Sequence, residues 1–292
     1  MRWEDFADLL ACPETLEPLE FDAESARLRS PSGRAYEIRG GVPILLTDAD
    51  RREFDQILAA QGRSMAQEYA AEPPPAPATP EAPGEYFPPM VLPQGLIDEA
   101  YARKGDKTRV LSVGGGPTRN SPREINLNMA PFREVDAVGN ATRLPFRSNS
   151  VDAIWCNAVL EHVAGAPEAV KEMVRVVEPG GRVICLVPFM QPVHAYPLDF
   201  QRYTADGLAY LMRDLRILAK GQAVGPSYAM WELLTRYLNG PGMVCVPRWI
   251  RGIVRRTLLP ALRRSAAAKS DWTGNPEHEV LASVVYCIGE KE

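Results

Sequence analysis

The chain has 292 residues, of which 46% are hydrophobic and 24% charged, with a formal net charge of -4; this is enough chain for one large domain and one small one. That charge gives no whole-molecule field for recruiting nucleic acid, and no nucleic-acid partner is expected. No stretch reaches the roughly 18 uninterrupted apolar residues of a membrane span, and MRWEDFADLL lacks the basic-then-apolar order of a signal peptide, so a cytoplasmic protein is expected.

Residues 1–50 show short apolar runs broken by turn signals, closing with AYEIRGGVPILL, where a Gly pair separates two strand-like segments. They predict a small α+β domain with a core of Leu9, Leu10, Leu19, Tyr36, Ile38, Val42 and Leu45. Residues 51–95 read as a helical segment and an extended linker, because nine of the 27 prolines fall within 73–93 and each removes a donor and fixes φ. From residue 96 to 292, helix-length and strand-length patterns alternate, which predicts a parallel sheet covered by helices. Strands are expected at 109–115, 124–128, 151–157, 182–188, 215–224 and 280–291. PEAVKEMVRVV (167–177) has helical spacing with Pro167 at its start, and Thr204 can cap the helix ADGLAYLM. Only about eleven residues separate Val113 from Ile125, close to the minimum for a parallel crossover, so the helix there must shrink to about a turn. The cysteines, Cys12, Cys156, Cys185, Cys245 and Cys287, are odd in number, scattered and never in a Cys-x-x-Cys pair, which is neither a disulfide framework nor a zinc site.

Four motifs follow in order from Arg109 to Pro188: VLSVGGG, INLNM, GNATRLPFRSNSVDAIWCNAVLEHV and VRVVEPGGRVICLVP. In order and spacing they resemble the Rossmann-like (class I, type 11-like) S-adenosylmethionine-dependent methyltransferases. The resemblance implies an α/β fold with a mostly parallel seven-stranded sheet and a cofactor in the crevice at the carboxyl ends of the strands. It implies that Gly114, Gly115 and Gly116 approach the methionine portion, that Asn128 and Met129 meet the ribose, and that Asn140 and Ala141 frame the adenine. Asn157 and His162 complete the set. Two positions depart from the family, which usually has an acid where Asn128 and Asn140 stand; Asn keeps a carbonyl acceptor but gives up a charge-assisted bond worth on the order of 1 kcal/mol. Bland readings stand beside these: the glycines also suit a tight turn, His162 suits a packed histidine, and Trp155 and Cys156 suit sheet core.

The N-terminal run LLACPETLEPLEFD...RSPSGRAYEIRGGVPILL resembles the small zinc-ribbon-like activators of tRNA and other methyltransferases, whose two Cys pairs bind zinc. Here Cys12 alone matches a ligand position, Thr15 stands in for the second thiol, and Ser30 to Ser32 supply no second pair. The resemblance implies the ribbon fold without its metal, and no metal is expected in the chain.

The segment PFMQPVHAYPLDFQRYT (188–204) is dense in His, Tyr, Asp and Arg and resembles the loop over the transferred methyl in bacterial methyltransferases of glycan and natural-product pathways. His194 is the candidate general base and Asp199 its orienting partner. Arg202 and Tyr203 suit an anionic or sugar-like acceptor, joined by Tyr196, which like Phe200 also suits packing. The alternative is a lid in which His194 is idle. PRWIRGIVRRTLLPALRR (247–264) carries six arginines among apolar residues, and fits a membrane-surface contact, a solvated helix or a homodimer face. The expected function is methylation of oxygen, less so nitrogen, on a small-molecule, natural-product or glycan-type acceptor, yielding S-adenosylhomocysteine. The rivals are a non-catalytic scaffold of the same fold and an RNA methyltransferase, the latter opposed by the acidic charge.

Overall fold

A computed structural model describes residues 2–60, 62–65, 88, 90–116, 119, 121–131, 133–194, 198–239, 247–268 and 280–292. Most of the expected proline-rich linker, and Tyr196 with it, lies outside the described residues.

The chain opens with a 3-10 helix, Trp3–Leu9, that buries Trp3, Phe6 and Leu9. Four short strands follow: β1 (Glu20–Asp22), β2 (Arg27–Arg29), β3 (Ala35–Arg39) and β4 (Val42–Leu45), each antiparallel to the next. Gly40 and Gly41, at φ 55° and 82°, make the turn between β3 and β4, a backbone shape that residues with a Cβ rarely adopt. Helix α1 (Asp48–Ala59) starts at a capping box: Thr47 Oγ1 accepts from Asp50 N and Asp50 Oδ2 accepts from Thr47 N, both at 3.0 Å. Of the expected small core, Leu9, Leu10, Leu19, Tyr36 and Leu45 are buried, and Ile38 and Val42 are half-buried.

Helix α2 (Gln94–Ala102) leads into β5 (Val110–Val113), β6 (Glu124–Asn128), β7 (Ala137–Gly139) and β8 (Val151–Asn157). Helix α3 (Ala166–Val176) buries Ala166, Ala169, Val170, Met173 and Val176, the spacing of one helical face, and passes into β9 (Val177–Pro188). Then come α4 (Ala205–Leu211), β10 (Arg216–Val224), α5 (Pro226–Asn239), α6 (Arg248–Arg256), α7 (Leu258–Ala266) and β11 (Val284–Glu290). Thr204 caps α4, its Oγ1 accepting from Gly207 N at 3.0 Å. Residues 247–264 do not form the single helix read from sequence, since Thr257 breaks them into α6 and α7.

All the described strands join one sheet in the order β1-β2-β3-β4-β7-β6-β5-β8-β9-β11-β10. The expected seven-stranded, mostly parallel sheet is therefore corrected to eleven strands. Residues 96–292 supply seven of them, and five of the ten neighbouring pairs are parallel, five antiparallel. The physical reason lies in β4, which pairs in parallel with β7 (Ile44 with Val138, Leu45 with Gly139) and so carries the N-terminal hairpins onto the edge of the larger sheet. The join is reinforced where Leu10 bridges Phe146 and the Phe6 and Phe146 rings stack at 6.5 Å. Arg109 adds an ion pair to Asp8 at 2.9 Å.

Around Cys12, Thr15 and Ser30 to Ser32 the N-terminal segment has a hydrogen-bonded net. Cys12 Sγ lies 3.1 Å from Tyr36 Oη, Glu17 Oε2 accepts from Thr15 Oγ1 at 2.9 Å and from Ser32 Oγ at 2.5 Å, and Ser30 and Ser32 hydroxyls meet at 2.9 Å. These bonds hold the two loops together as four thiolates around an ion would. We expect Cys12→Ser to leave the zinc content of untagged protein unchanged, by elemental analysis. Zinc that is lost with Cys12 alone would overturn the metal-free reading of this segment.

Candidate functional site

The strands β7, β6, β5 and β8 are neighbours and mutually parallel, so their carboxyl ends open on one edge. Gly114 to Gly116 follow β5, Asn128 ends β6 with Met129 behind it, Asn140 and Ala141 follow β7, and Asn157 ends β8. His162 closes the 3-10 turn Leu160–His162 that comes next. The expected cofactor residues thus share one edge of the sheet.

The glycines there are required sterically. Gly114 sits at φ 70°, and a Cβ on it would lie 2.3 Å from the Val159 side chain; one on Gly115 would lie 2.6 Å from Asn126 Oδ1. Gly116, at φ 65°, faces open space, while its carbonyl accepts from Asn126 Nδ2 at 2.9 Å. A bare, pinned backbone of this kind suits close approach of a ligand such as the methionine end of S-adenosylmethionine. Among the described residues, half-buried Asn128 takes a long bond, 3.5 Å, from Ala130 N.

Asn140 is differently employed. Its Nδ2 donates to Asp50 Oδ1 at 2.7 Å, and its Oδ1 accepts from Thr142 N and Thr142 Oγ1, both at 2.9 Å. Asp50 is 1% exposed and also accepts from Arg143 Nη1 at 2.8 Å. The side chain of Asn140 therefore anchors the loop to α1. The departure from the family's acid has a cause here: a carboxylate at 140 would face the carboxylate of Asp50.

The acceptor segment is bound down onto the turn after β8. Phe200 N donates to Glu161 O at 2.8 Å, and Gln201 Nε2 donates to Leu160 O at 2.7 Å and Val163 O at 2.9 Å. Ala158, at φ 53°, reverses the chain at the tip of β8 and is followed by Glu161, whose side chain is wholly buried with neither oxygen hydrogen-bonded. His162 Nε2 lies 3.7 Å and His194 Nε2 3.6 Å from Glu161 Oε1. The two rings stand edge-on at 5.3 Å.

Asp199 is placed otherwise than as an imidazole's partner. Its carboxylate is gripped by both terminal nitrogens of Arg202 and accepts from His194 N at 2.8 Å, while His194 Nδ1 is 3.8 Å away. The Arg202 guanidinium holds the Asp199 carboxyl well below the usual carboxylate range. Glu161 raises the pKa of His194 above its ordinary value, against the opposing effect of burial. Tyr203 is half-buried against the core. Glu232 on α5 also feels the charges of His194 and Arg202, and burial pushes its carboxyl up.

Sequence reasoning missed Glu161 and Asp50. The one signal for Glu161 was an acid enclosed by the apolar residues of VLEHV; for Asp50 it was the T-x-x-D spacing of a capping box, which gives no hint of a contact 90 residues away.

Residues 119–185 match the model of the family described as methyltransferase domain. Among curated relatives it is similar to a demethylmenaquinone methyltransferase of Paenarthrobacter aurescens (40% identity over 94 residues, 32% of this chain and 34% of that one). It is also similar to a 2-phytyl-1,4-naphtoquinone methyltransferase of Synechocystis (32% identity over 107 residues, 36% and 42%). The chain spans about a third of the length of the curated relatives it matches. Among solved structures it overlays on phosphoethanolamine N-methyltransferase 2 of Haemonchus contortus in complex with S-adenosyl-L-methionine, at 11% identity and a TM-score of 0.40, covering 71% of this chain and 54% of that one.

Proposed function

We propose that this chain is an S-adenosylmethionine-dependent methyltransferase acting on an oxygen of a small-molecule, natural-product or glycan-type acceptor. The observation that carries the reading is the glycine turn after β5 and the asparagines Asn128, Asn140 and Asn157, gathered at the carboxyl ends of the mutually parallel β7, β6, β5 and β8, in a segment that overlaps the match to the methyltransferase domain. The quinone acceptors named for the curated relatives bring quinone-type aromatics into the same class. When bound, the cofactor supplies an electrophilic methyl: the acceptor oxygen forms a bond to carbon as the carbon–sulfur pair returns to sulfur, leaving S-adenosylhomocysteine and one proton.

The chain's own residues do the rest. Gly114 to Gly116 seat the methionine portion, Asn128 and Met129 the ribose, and the loop at Asn140 and Ala141 the adenine, with Asn157 and His162 beside the reacting end. In-line displacement depends mainly on alignment, which the loop clamped by Asp199 and Arg202 provides. His194 accepts the hydroxyl proton, its 31% exposed ring standing 3.6 Å from buried Glu161. Tyr203, Arg202 and Tyr196 are assigned to the acceptor side. Contact with an anionic membrane surface, or with a second copy, belongs to the same reading through residues 247–264, where Trp249, Ile253 and Leu258 are exposed beside arginines. Among the described residues no helix is long and apolar enough to cross a membrane.

The test is calorimetry with S-adenosylmethionine. Asn128→Asp restores a charged acceptor for the ribose hydroxyls and should tighten binding by about tenfold. Absence of binding by the wild type would remove the cofactor reading, and unchanged or weaker binding by the variant would remove the ribose assignment.

A further inference from the structure

Three lone-pair donors converge at the turn after β8: one ligand atom each of Glu161, His162 and His194 lie within 4.8 Å of one another, and both Nε2 atoms approach Glu161 Oε1. Each histidine's other nitrogen faces a backbone carbonyl. His162 Nδ1 is 2.5 Å from Leu198 O, and His194 Nδ1 is 3.2 Å from Pro192 O. A carbonyl only accepts, so each Nδ1 carries the proton, and each Nε2 of a neutral ring turns a bare lone pair toward the carboxylate. Arg202 Nη2 stands 3.4 Å from His194 Nδ1 but spends its protons on Pro192 O and Asp199 at 3.0 and 2.6 Å.

Glu161 is the independent observation: a fully buried carboxylate, neither oxygen hydrogen-bonded, aimed at two imidazoles. Burying a carboxylate so is costly unless a cation neutralises it. Ligand atoms about 2.1 Å from a tetrahedral ion lie about 3.4 Å apart; the oxygen-to-nitrogen separations here are 3.6 and 3.7 Å. The carbonyls behind both rings supply the outer hydrogen bonds that fix ligating histidines in orientation and tautomer.

We infer that Glu161, His162 and His194 form a binding site for a divalent transition-metal ion of the zinc type, with the fourth position open to an acceptor hydroxyl. Two imidazoles and one carboxylate favour zinc, iron, cobalt or nickel over magnesium or calcium, which prefer all-oxygen sets. The role in catalysis rests on the methyltransferase reading. With the ion in place His194 is a ligand, and the positive charge acidifies the acceptor hydroxyl, whose proton leaves to solvent; without it, His194 is itself the base. The thiol pattern of the sequence said nothing about this site, because its donors are two histidines 32 residues apart and an acid in an apolar run.

The experiment titrates metal-stripped, untagged full-length chain with Zn²⁺ by calorimetry, and with Co²⁺ while the visible absorption of tetrahedral cobalt is recorded. Wild type should take one equivalent and show those bands. Glu161→Gln and, as a half-exposed position that folding tolerates better, His194→Ala should each weaken binding by more than about 100-fold, beyond the 10- to 100-fold typical of losing an outer partner. Thermal melts establish that each variant is folded. No binding by wild type, or equal binding by wild type and folded variants, overturns the site. Binding of S-adenosylmethionine by the same metal-stripped protein is measured alongside, so failure of the metal site and failure of the cofactor reading are told apart.

Discussion

Asn140→Asp is expected to destabilise the chain by about 1–3 kcal/mol and to weaken S-adenosylmethionine binding, although it restores the acid that the resemblance to the methyltransferases implies at this position. The substitution replaces a donor 2.7 Å from Asp50 Oδ1 with a second carboxylate, and Asp50 is already committed to Thr47 and Arg143. Asp50→Asn alone should also destabilise, by a similar amount, since two amide groups cannot reproduce the charge-assisted bonds to Arg143 and Asn140. The double exchange should recover most of the loss: the bond between positions 50 and 140 is re-formed with its donor reversed, and Arg143, whose side chain is 48% exposed, returns to water. Denaturant unfolding of wild type, both single variants and the double variant gives the coupling energy directly. Additive losses would show that the two side chains do not interact in solution.

The larger kinetic effect belongs to His194. Removing it should lower turnover by about 10²- to 10⁴-fold while leaving cofactor affinity nearly unchanged, because its ring contacts Glu161 and the carbonyl of Pro192 and is assigned to the acceptor's proton, not to the cofactor. Asp199→Asn should cost less, through loosening of the loop: it keeps an acceptor for His194 N but loses the charged grip of Arg202. The measurement is turnover at saturating cofactor and acceptor for the wild type and both variants. Turnover within a few-fold of wild type in His194→Ala would leave alignment as the whole mechanism.

Much of this sheet edge was legible because buried parallel strands read as apolar runs; β5, β6 and β8 came from that signal, and Gly114, Asn128 and Asn157 from the resemblance of the motifs that hold them. Strand β7, only Ala137–Gly139, is too short to show any period. Its pairing with β4 joins residues about 94 positions apart, and nothing local marks such a partner. The anchoring of Asn140 was not legible for the same reason, since the side chain that holds it lies on α1. Glu161 left no periodic trace either, because a 3-10 turn of three residues has neither a strand's alternation nor a helix's face.

A strand at the end of a parallel sheet exposes a row of amide and carbonyl groups to which another chain can add itself. In this molecule β4 already lies along β7, so the place where a separate subunit would zip on is taken by the chain's own N-terminal segment. Tethered in this way, the segment is present at an effective concentration set by the covalent linkage and not by expression level, so the loop at Asn140 held by Asp50 stays braced at any dilution of the protein.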